Sequence, residues 1–306
     1  MVKSTMCMEL VYHYTSIESF QKMIEGISND GDEHYLTFWA TSIYAMNDSM
    51  EFLHGYKFLK ESVIPNIEKE MNITDKTLRL SYIWKRVIGK TAFGEDKDFM
   101  IRHIYDNHKN PFIISFSKRK DFLPMWNAYS NKGKGVCLCF NNKEYIIKTS
   151  DGANIDVEIL HKLHAMDVTY GEIDDDVKNV VAKLYEEYYL KYKNISDIQQ
   201  RTQMMLNYLV ALVVSFSAYL KNEAYQYEQE VRLVEYKEDR KDVHYRIDKN
   251  GQLKPYIEVK VNLKYLEEII VGPCTDSESV IRELKNQLRR YGIKDISPSH
   301  VPYRDI

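Results

Sequence analysis

Several short stretches of the chain carry side chains able to handle protons, charge or a planar ligand. They are Tyr12-His13-Tyr14-Thr15-Ser16, Asn47-Asp48 with Glu51, Ser115-Phe116-Ser117, Met125-Trp126 with Tyr129, and Tyr227-Glu228-Gln229-Glu230-Val231-Arg232. The last is the hardest to explain by folding alone. Read as a strand, its period of two puts Glu228, Glu230 and Arg232 on one face, where two carboxylates repel unless a cation or a ligand compensates them. Carboxylates so placed can face a developing positive charge or take a proton from a nucleophile. Each stretch alone also has an ordinary role: a rim histidine, a helix cap at Asn47-Asp48, strand-end serines, aromatic packing three residues apart, or a solvated charge ladder.

The elements that must position these groups follow from pattern. A first strand over Leu10 to Tyr14 leads into a helix announced by the capping box Thr15-Ser-Ile-Glu18, with Phe20, Met23, Ile24 and Ile27 as its apolar face. Strands are predicted at His34 to Thr41, Phe112 to Ser117, Gly135 to Phe140, Glu228 to Tyr236, His244 to Ile247, Tyr256 to Val261 and Glu267 to Val271. Further capping boxes stand at Asp48 to Glu51 and Thr275 to Glu278, the second ahead of a terminal helix. Helical insertions are expected at 51–108 and 173–222. With strands clustered at the start, middle and end, the fold class is α+β, not a βαβ repeat.

A chain of 306 residues with 44% hydrophobic side chains can bury a sizeable core, and no linker-like tract or repeat divides it. One domain over 1–306 is the simplest expectation. The cysteines Cys7, Cys137, Cys139 and Cys274 form no CxxC pair and read as reduced thiols, with Cys137 and Cys139 on one face of a strand. The N-terminus lacks the pattern of a secretion signal and the apolar run Met204 to Leu220 is too polar for a membrane span, so a cytoplasmic location and no membrane partner are expected. A net charge of −3 gives no global attraction to nucleic acid, although Lys118-Arg119-Lys120, Lys132 and Lys134 form a local basic cluster. There is no GxGxxG and no GxxxxGK[ST], which argues against doubly wound dinucleotide and P-loop sites.

The order HYTS, NDxxE, FS, MWxxYS with a Gly-rich approach to a strand at Lys132 to Gly135, YExExRLV, and EIIVGP before a final helix resembles the bacterial family of domains of unknown function 2971. More distantly, a first strand bearing His, a middle strand with Ser-x-Ser and a late Glu-x-Glu are similar to the three-part signature of ADP-ribosyltransferases. That resemblance implies a bent or split mixed sheet and NAD as substrate, with no metal. It implies that His13 contacts the nicotinamide or ribose, that Ser115 or Ser117 orients it, that Glu230 is the catalytic carboxylate and that Glu228 addresses the acceptor. Tyr14, Thr15, Asn47, Trp126, Tyr129 and Arg232 complete the implied binding set, and Lys118 to Lys120 would meet the pyrophosphate. A role as a bacterial toxin or in anti-phage defence, acting on an unidentified acceptor, is implied with it. This chain has no Arg on the first strand, and Ser-Phe-Ser stands where the histidine-type signature carries a tyrosine.

Two other readings stay open. A nucleotide- or protein-binding sensor module would use the same groove without turnover. A metal-dependent nuclease or hydrolase would gather His103, His108, His161 or His164 with carboxylates, yet five residues on a helix separate His103 from His108 and no HExxH occurs. A cysteine or serine hydrolase has neither GxSxG nor a neighbouring His in sequence.

Overall fold

Alternation of side chains accounts for the central strands. In β1 (Leu10–Ser16) Val11 projects to one face with His13 and Thr15, while Tyr12 and Tyr14 project to the other. The chain turns at once into α1 (Ile17–Glu25), capped by Ser16, whose Oγ accepts from the Ser19 amide at 3.1 Å. The cap is therefore one residue later than the expected Thr15, which stays in β1, and Glu18 acts in the first turn beside the positive helix end. The computed structural model describes residues 10–46, 51–85, 110–141, 165–171, 175–237, 240–248, 250–273, 276–293 and 295–302.

β2 (Ser28–Asp30) and β3 (Glu33–Ser42) form a hairpin, after which α2 (Glu51–Phe58) runs through a π-helical turn, Leu59–Val63, into α3 (Ile64–Glu70) and later α4 (Leu80–Ile83). β4 (Asn110–Ser117), α5 (Leu123–Tyr129) and β5 (Gly135–Asn141) follow, then the short β6 (Ala165–Asp167) and β7 (Thr169–Tyr170). The expected insertion at 173–222 proves to be two helices, α6 (Asp175–Tyr192) and α7 (Ile198–Ser217), and its last residues are instead a strand, β8 (Leu220–Lys221), paired in parallel with β7. The rest is β9 (Glu230–Lys237), β10 (His244–Ile247), β11 (Leu253–Asn262), β12 (Leu266–Val271), α8 (Ser277–Leu288) and β13 (Ile296–Pro298). Asp48 and Thr275 lie outside the described residues.

The main sheet runs β10-β11-β3-β4-β1-β5-β12-β13 and is antiparallel except for β12 with β13. One edge of β4 is covered end to end by β9, from Asn110 opposite Lys237 to Ser117 opposite Glu230. Its other edge is shared: β3 holds it at Phe112 and Ile113, and β1 touches it only at Ser117 opposite Tyr12. β1 and β3 therefore diverge from opposite ends of one strand, and the gap beside Ile114 and Ser115 is where a cleft opens.

Apolar packing fixes both sides of that gap. α1 and α8 close one face over Phe20, Phe38, Phe116, Leu138 and Leu288. On the other face Trp126 is fully buried among Tyr12, Tyr14, Cys137 and Cys139, the two thiols sharing a face as alternation requires. A third cluster joins α2, α3, α4, α6 and α7 through Tyr56, Ile64, Leu80, Tyr185 and Leu209. Gly135 lets β5 approach β1, since a Cβ there would stand 2.1 Å from the Thr15 carbonyl oxygen. Among the described residues no helix is long and apolar enough to cross a membrane.

Candidate functional site

His13 is held from three directions. Phe38 and Phe116 meet its ring edge-on at centroid distances of 5.0 and 5.7 Å. Nδ1 lies 3.0 Å from the Ser115 carbonyl oxygen, an acceptor only, so Nδ1 carries the hydrogen. Burial lowers the His13 pKa against the smaller opposing pull of that hydrogen bond. The ring is thus neutral, with the Nε2 lone pair left as an acceptor.

The acidic group is built by three elements. Glu228 ends a 3-10 turn, Glu223–Glu228, and Gln229 takes a left-handed conformation before β9 begins at Glu230. The expected same-face ladder is corrected accordingly: only Glu230 and Arg232 are related by the strand pleat, and Glu228 reaches them through the kink at Gln229. Lys221, from the two-residue β8, then joins both carboxylates, at 2.7 Å to Glu228 Oε2 and 3.0 Å to Glu230 Oε2. Arg232 grips Glu230 twice, Nε to Oε1 at 2.8 Å and Nη2 to Oε2 at 2.9 Å, and gives Nη1 to the Ala218 carbonyl at 2.6 Å. Tyr129 donates to Glu228 Oε1 at 2.7 Å, and the Ser115 hydroxyl bonds Glu230. Exposure is 4% or less for Lys221, Glu228, Glu230 and Arg232, so two carboxylates and two cations are desolvated together. Burial raises the Glu230 carboxyl above its ordinary value, and the opposing pull of Lys221 and Ser115 is smaller. Two cations within 3.0 Å of its oxygens favour the charged form. Lys221 is raised above the ordinary lysine value: burial works against this, and the charges of Glu230, Tyr129 and Glu228 outweigh it.

These groups meet at one cavity of about 320 Å³, which opens where β1 and β3 diverge. His13, Ser115, Tyr129 and Glu230 line it with Tyr14 and Thr15. A smaller recess of about 80 Å³ extends the same wall to Glu228. The Tyr14 hydroxyl donates to the Arg119 carbonyl at 2.6 Å and accepts from the Phe122 amide at 3.1 Å, so it fixes the loop after β4.

Other expected contacts are relocated. Trp126 does not line the cavity, because it is buried in the packing cluster and its indole N–H donates to Asp121 at 2.8 Å. Ser117, fully buried, does not line it either; its hydroxyl donates to the Glu228 carbonyl at 2.5 Å and accepts from the Arg119 amide. Arg232 acts from behind Glu230, not on the cavity wall. Lys118 and Lys120 are also absent from the wall: Lys118 meets Asp167 at 2.7 Å and Lys120 meets Glu268 at 2.6 Å. Asn47 lies outside the described residues, as do His103, His108, His161 and His164. Among the described residues no group of three or more His, Cys, Asp or Glu side chains is placed to hold a metal ion.

The cavity wall includes residues that sequence reading missed: Lys22 of α1, Trp39 and Thr41 of β3, Lys221 and Tyr225, and Arg246 with Lys254 of β10 and β11. Lys22 could have been found as the polar edge of an amphipathic helix directly after His13. Arg246 and Lys254 do carry a local signal, the Asn250-Gly251 turn that pairs β10 with β11, while their approach to His13 depends on the pairing of β11 with β3.

Comparison with known proteins bears on part of this arrangement. Residues 125–233 match the family described as protein of unknown function (DUF2971), the family that the sequence resembles. The matched segment contains Tyr129, Lys221, Glu228, Glu230 and Arg232, while His13, Arg246 and Lys254 lie outside it. No curated protein and no solved structure matches the chain.

Proposed function

We propose that the cleft binds NAD or a related nucleotide and breaks its ribosyl bond, in the manner of an ADP-ribosyltransferase or an NAD-consuming effector. The observation that carries this reading is that a neutral imidazole, a serine and a buried carboxyl group clamped by two cations, from β1, β4 and β9, line one cavity in the size range of small-molecule sites. In the reaction the bond between nicotinamide nitrogen and ribose C1′ breaks, and its electron pair leaves with nicotinamide. Glu230, fixed by Arg232 and Lys221, faces the positive charge that develops at C1′. The acceptor oxygen or nitrogen attacks C1′, and its proton passes to His13 Nε2 or to Glu228. The split around β4 supports the bent-sheet architecture implied by the transferase resemblance. A role in toxin action or anti-phage defence, in the cytoplasm, belongs to the same proposal.

One observation favours a second reading. Both carboxylates are already matched by cations, which suits a binding module whose charges serve shape and not turnover. Incubation with NAD and measurement of released nicotinamide separates the two. The wild type is expected to release it, and Glu230→Gln to fall by about two or more orders of magnitude, a loss of ~3 kcal/mol of transition-state stabilisation. Because Glu230 also neutralises Arg232, His13→Gln is measured beside it as a variant that leaves the charge group intact. A wild type that gains thermal stability on adding NAD and releases no nicotinamide is the sensor module.

A further inference from the structure

At the other side of the cleft two cations face each other across a strand pair. Arg246 of β10 and Lys254 of β11 are direct cross-strand partners, and both line the cavity that holds His13 and Glu230. Like charges in that relation destabilise a sheet unless an anion compensates them. The protein supplies part of the compensation: Asp248 meets Lys254 at 3.5 Å, while Asp248 Oδ1 is committed to the amides of Asn250 and Gln252.

Among the described residues Arg246 forms no salt bridge, and the Asp248 charge that pairs with Lys254 acts on it only at longer range. It donates through Nη2 to Thr41 Oγ1 at 3.1 Å, and its Nε is buried without a hydrogen bond. A buried guanidinium donor without an acceptor is costly, and an arriving oxyanion would remove that cost. Lys22 adds a third positive charge from α1. Its Nζ lies 5.9 Å from the Trp39 ring centre, and the Arg246 guanidinium lies 5.8 Å from the same ring, so the indole orients both cations. Glu18 meets Lys22 at 3.3 Å, but that pair is largely in solvent and weakly binding.

The cations stand at a defined distance from the proposed chemistry. Thr41, which holds Arg246, is paired with Ile113, two residues before Ser115. About 7 Å of extended strand therefore separates that contact from Ser115, whose carbonyl holds His13. A ribose 5′-phosphate can bridge such a span.

We propose that Arg246, Lys254 and Lys22 form a phosphate subsite, with Thr41 and Trp39 positioning the cations, and that the ligand of the cleft carries a diphosphate. The nucleotide character of that ligand rests on the reading in the previous subsection; the anion subsite stands on the like-charge pair and the unmatched guanidinium.

The test is thermal melting of the full chain titrated with inorganic pyrophosphate at constant ionic strength, for wild type, Arg246→Gln, Lys22→Gln and His13→Gln. Wild type and His13→Gln are expected to show a saturable rise in Tm. Arg246→Gln should lose about ten-fold or more in apparent affinity and Lys22→Gln a smaller factor, as removal of charge-assisted bonds to an anion implies. Ligand-free Arg246→Gln should melt no lower than wild type, because the cross-strand repulsion is relieved; should it fail to fold, Lys254→Gln repeats the comparison from the opposed strand. A wild type that does not respond to pyrophosphate, or equal affinities in wild type and Arg246→Gln, overturns the subsite. Pyrophosphate binding that depends on Arg246 without NAD turnover refutes the proposed catalysis and leaves the subsite standing. NAD turnover with an unchanged KM in Arg246→Gln refutes the subsite and leaves the catalysis.

Discussion

The two ends of the cleft handle charge in opposite ways. At the Glu230 end two carboxylates and two cations are buried together, every carboxylate oxygen has a donor, and the group is electrically closed. At the Arg246 end two cations oppose each other across a strand pair, with one of them lacking a salt-bridge partner among the described residues. A closed group holds atoms in fixed positions but offers little net field; an open one offers field and leaves its counter-charge to a ligand. The same protein thus separates positioning from attraction, and each end should respond differently to the loss of a charge.

The sharpest way to break this contrast is Lys221→Met. It would leave Glu228 and Glu230 facing only Arg232 in a desolvated space, and breaking a buried group of this kind costs about 3–5 kcal/mol. Denaturant unfolding should show that loss directly as a lower midpoint at unchanged slope. A cost under about 1 kcal/mol would mean that the acidic end relaxes into solvent and is not closed.

A second, smaller effect concerns the histidine between the two ends. Because burial holds the folded His13 pKa below its ordinary value, the folded chain binds fewer protons than the unfolded one between the two values. Stability should therefore fall as pH drops below about 6.5, by at most about 1.4 kcal/mol per pH unit for this single proton. Comparing wild type with His13→Gln across that range isolates the contribution. Identical acid slopes would show that His13 is solvated when folded, and that its neutral Nε2 is no fixture of the cleft.

How much of this was legible in the residues differs along the chain. The strands around Phe112 to Ser117 and Gly135 to Phe140 and the span His244–Ile247 follow from apolar and β-branched content, and their boundaries match or extend by a residue or two. The convergence of His13, Ser115 and Glu230 on one cavity is an expectation that only the resemblance to the three-part transferase signature supplies, since no spacing along the chain requires it. Short strands such as Leu220–Lys221 and Ala165–Asp167 have no periodicity to read, and without Leu220–Lys221 there was no reason to see Lys221 as the cation joining two carboxylates. The Glu228 side chain reaches its place through the left-handed Gln229, a backbone choice that a strand pattern conceals. Trp126 looked like a stacking surface because exposure cannot be read from identity, and the packing of α5 on β1 buries it. The Arg246 to Lys254 opposition follows from the register of a hairpin that the Asn250-Gly251 turn announces, but its place on the cavity wall follows only from the pairing of β11 with β3.

The smallest effect sharpens the open end. Lys22 pairs with Glu18 one helical turn away, with side-chain exposures of 50% and 82%, and such pairs contribute about 0.3–0.5 kcal/mol. Lys22→Gln should therefore change the unfolding free energy of the ligand-free protein by no more than about 0.5 kcal/mol, as seen in matched urea titrations. The reason is that the charge of Lys22 does its work toward the cavity, against the Trp39 face, where folding gains little from it. A loss above about 1 kcal/mol would instead make the contact with Trp39 part of the packing between α1 and β3. The open end would then be a structural seam like the closed one.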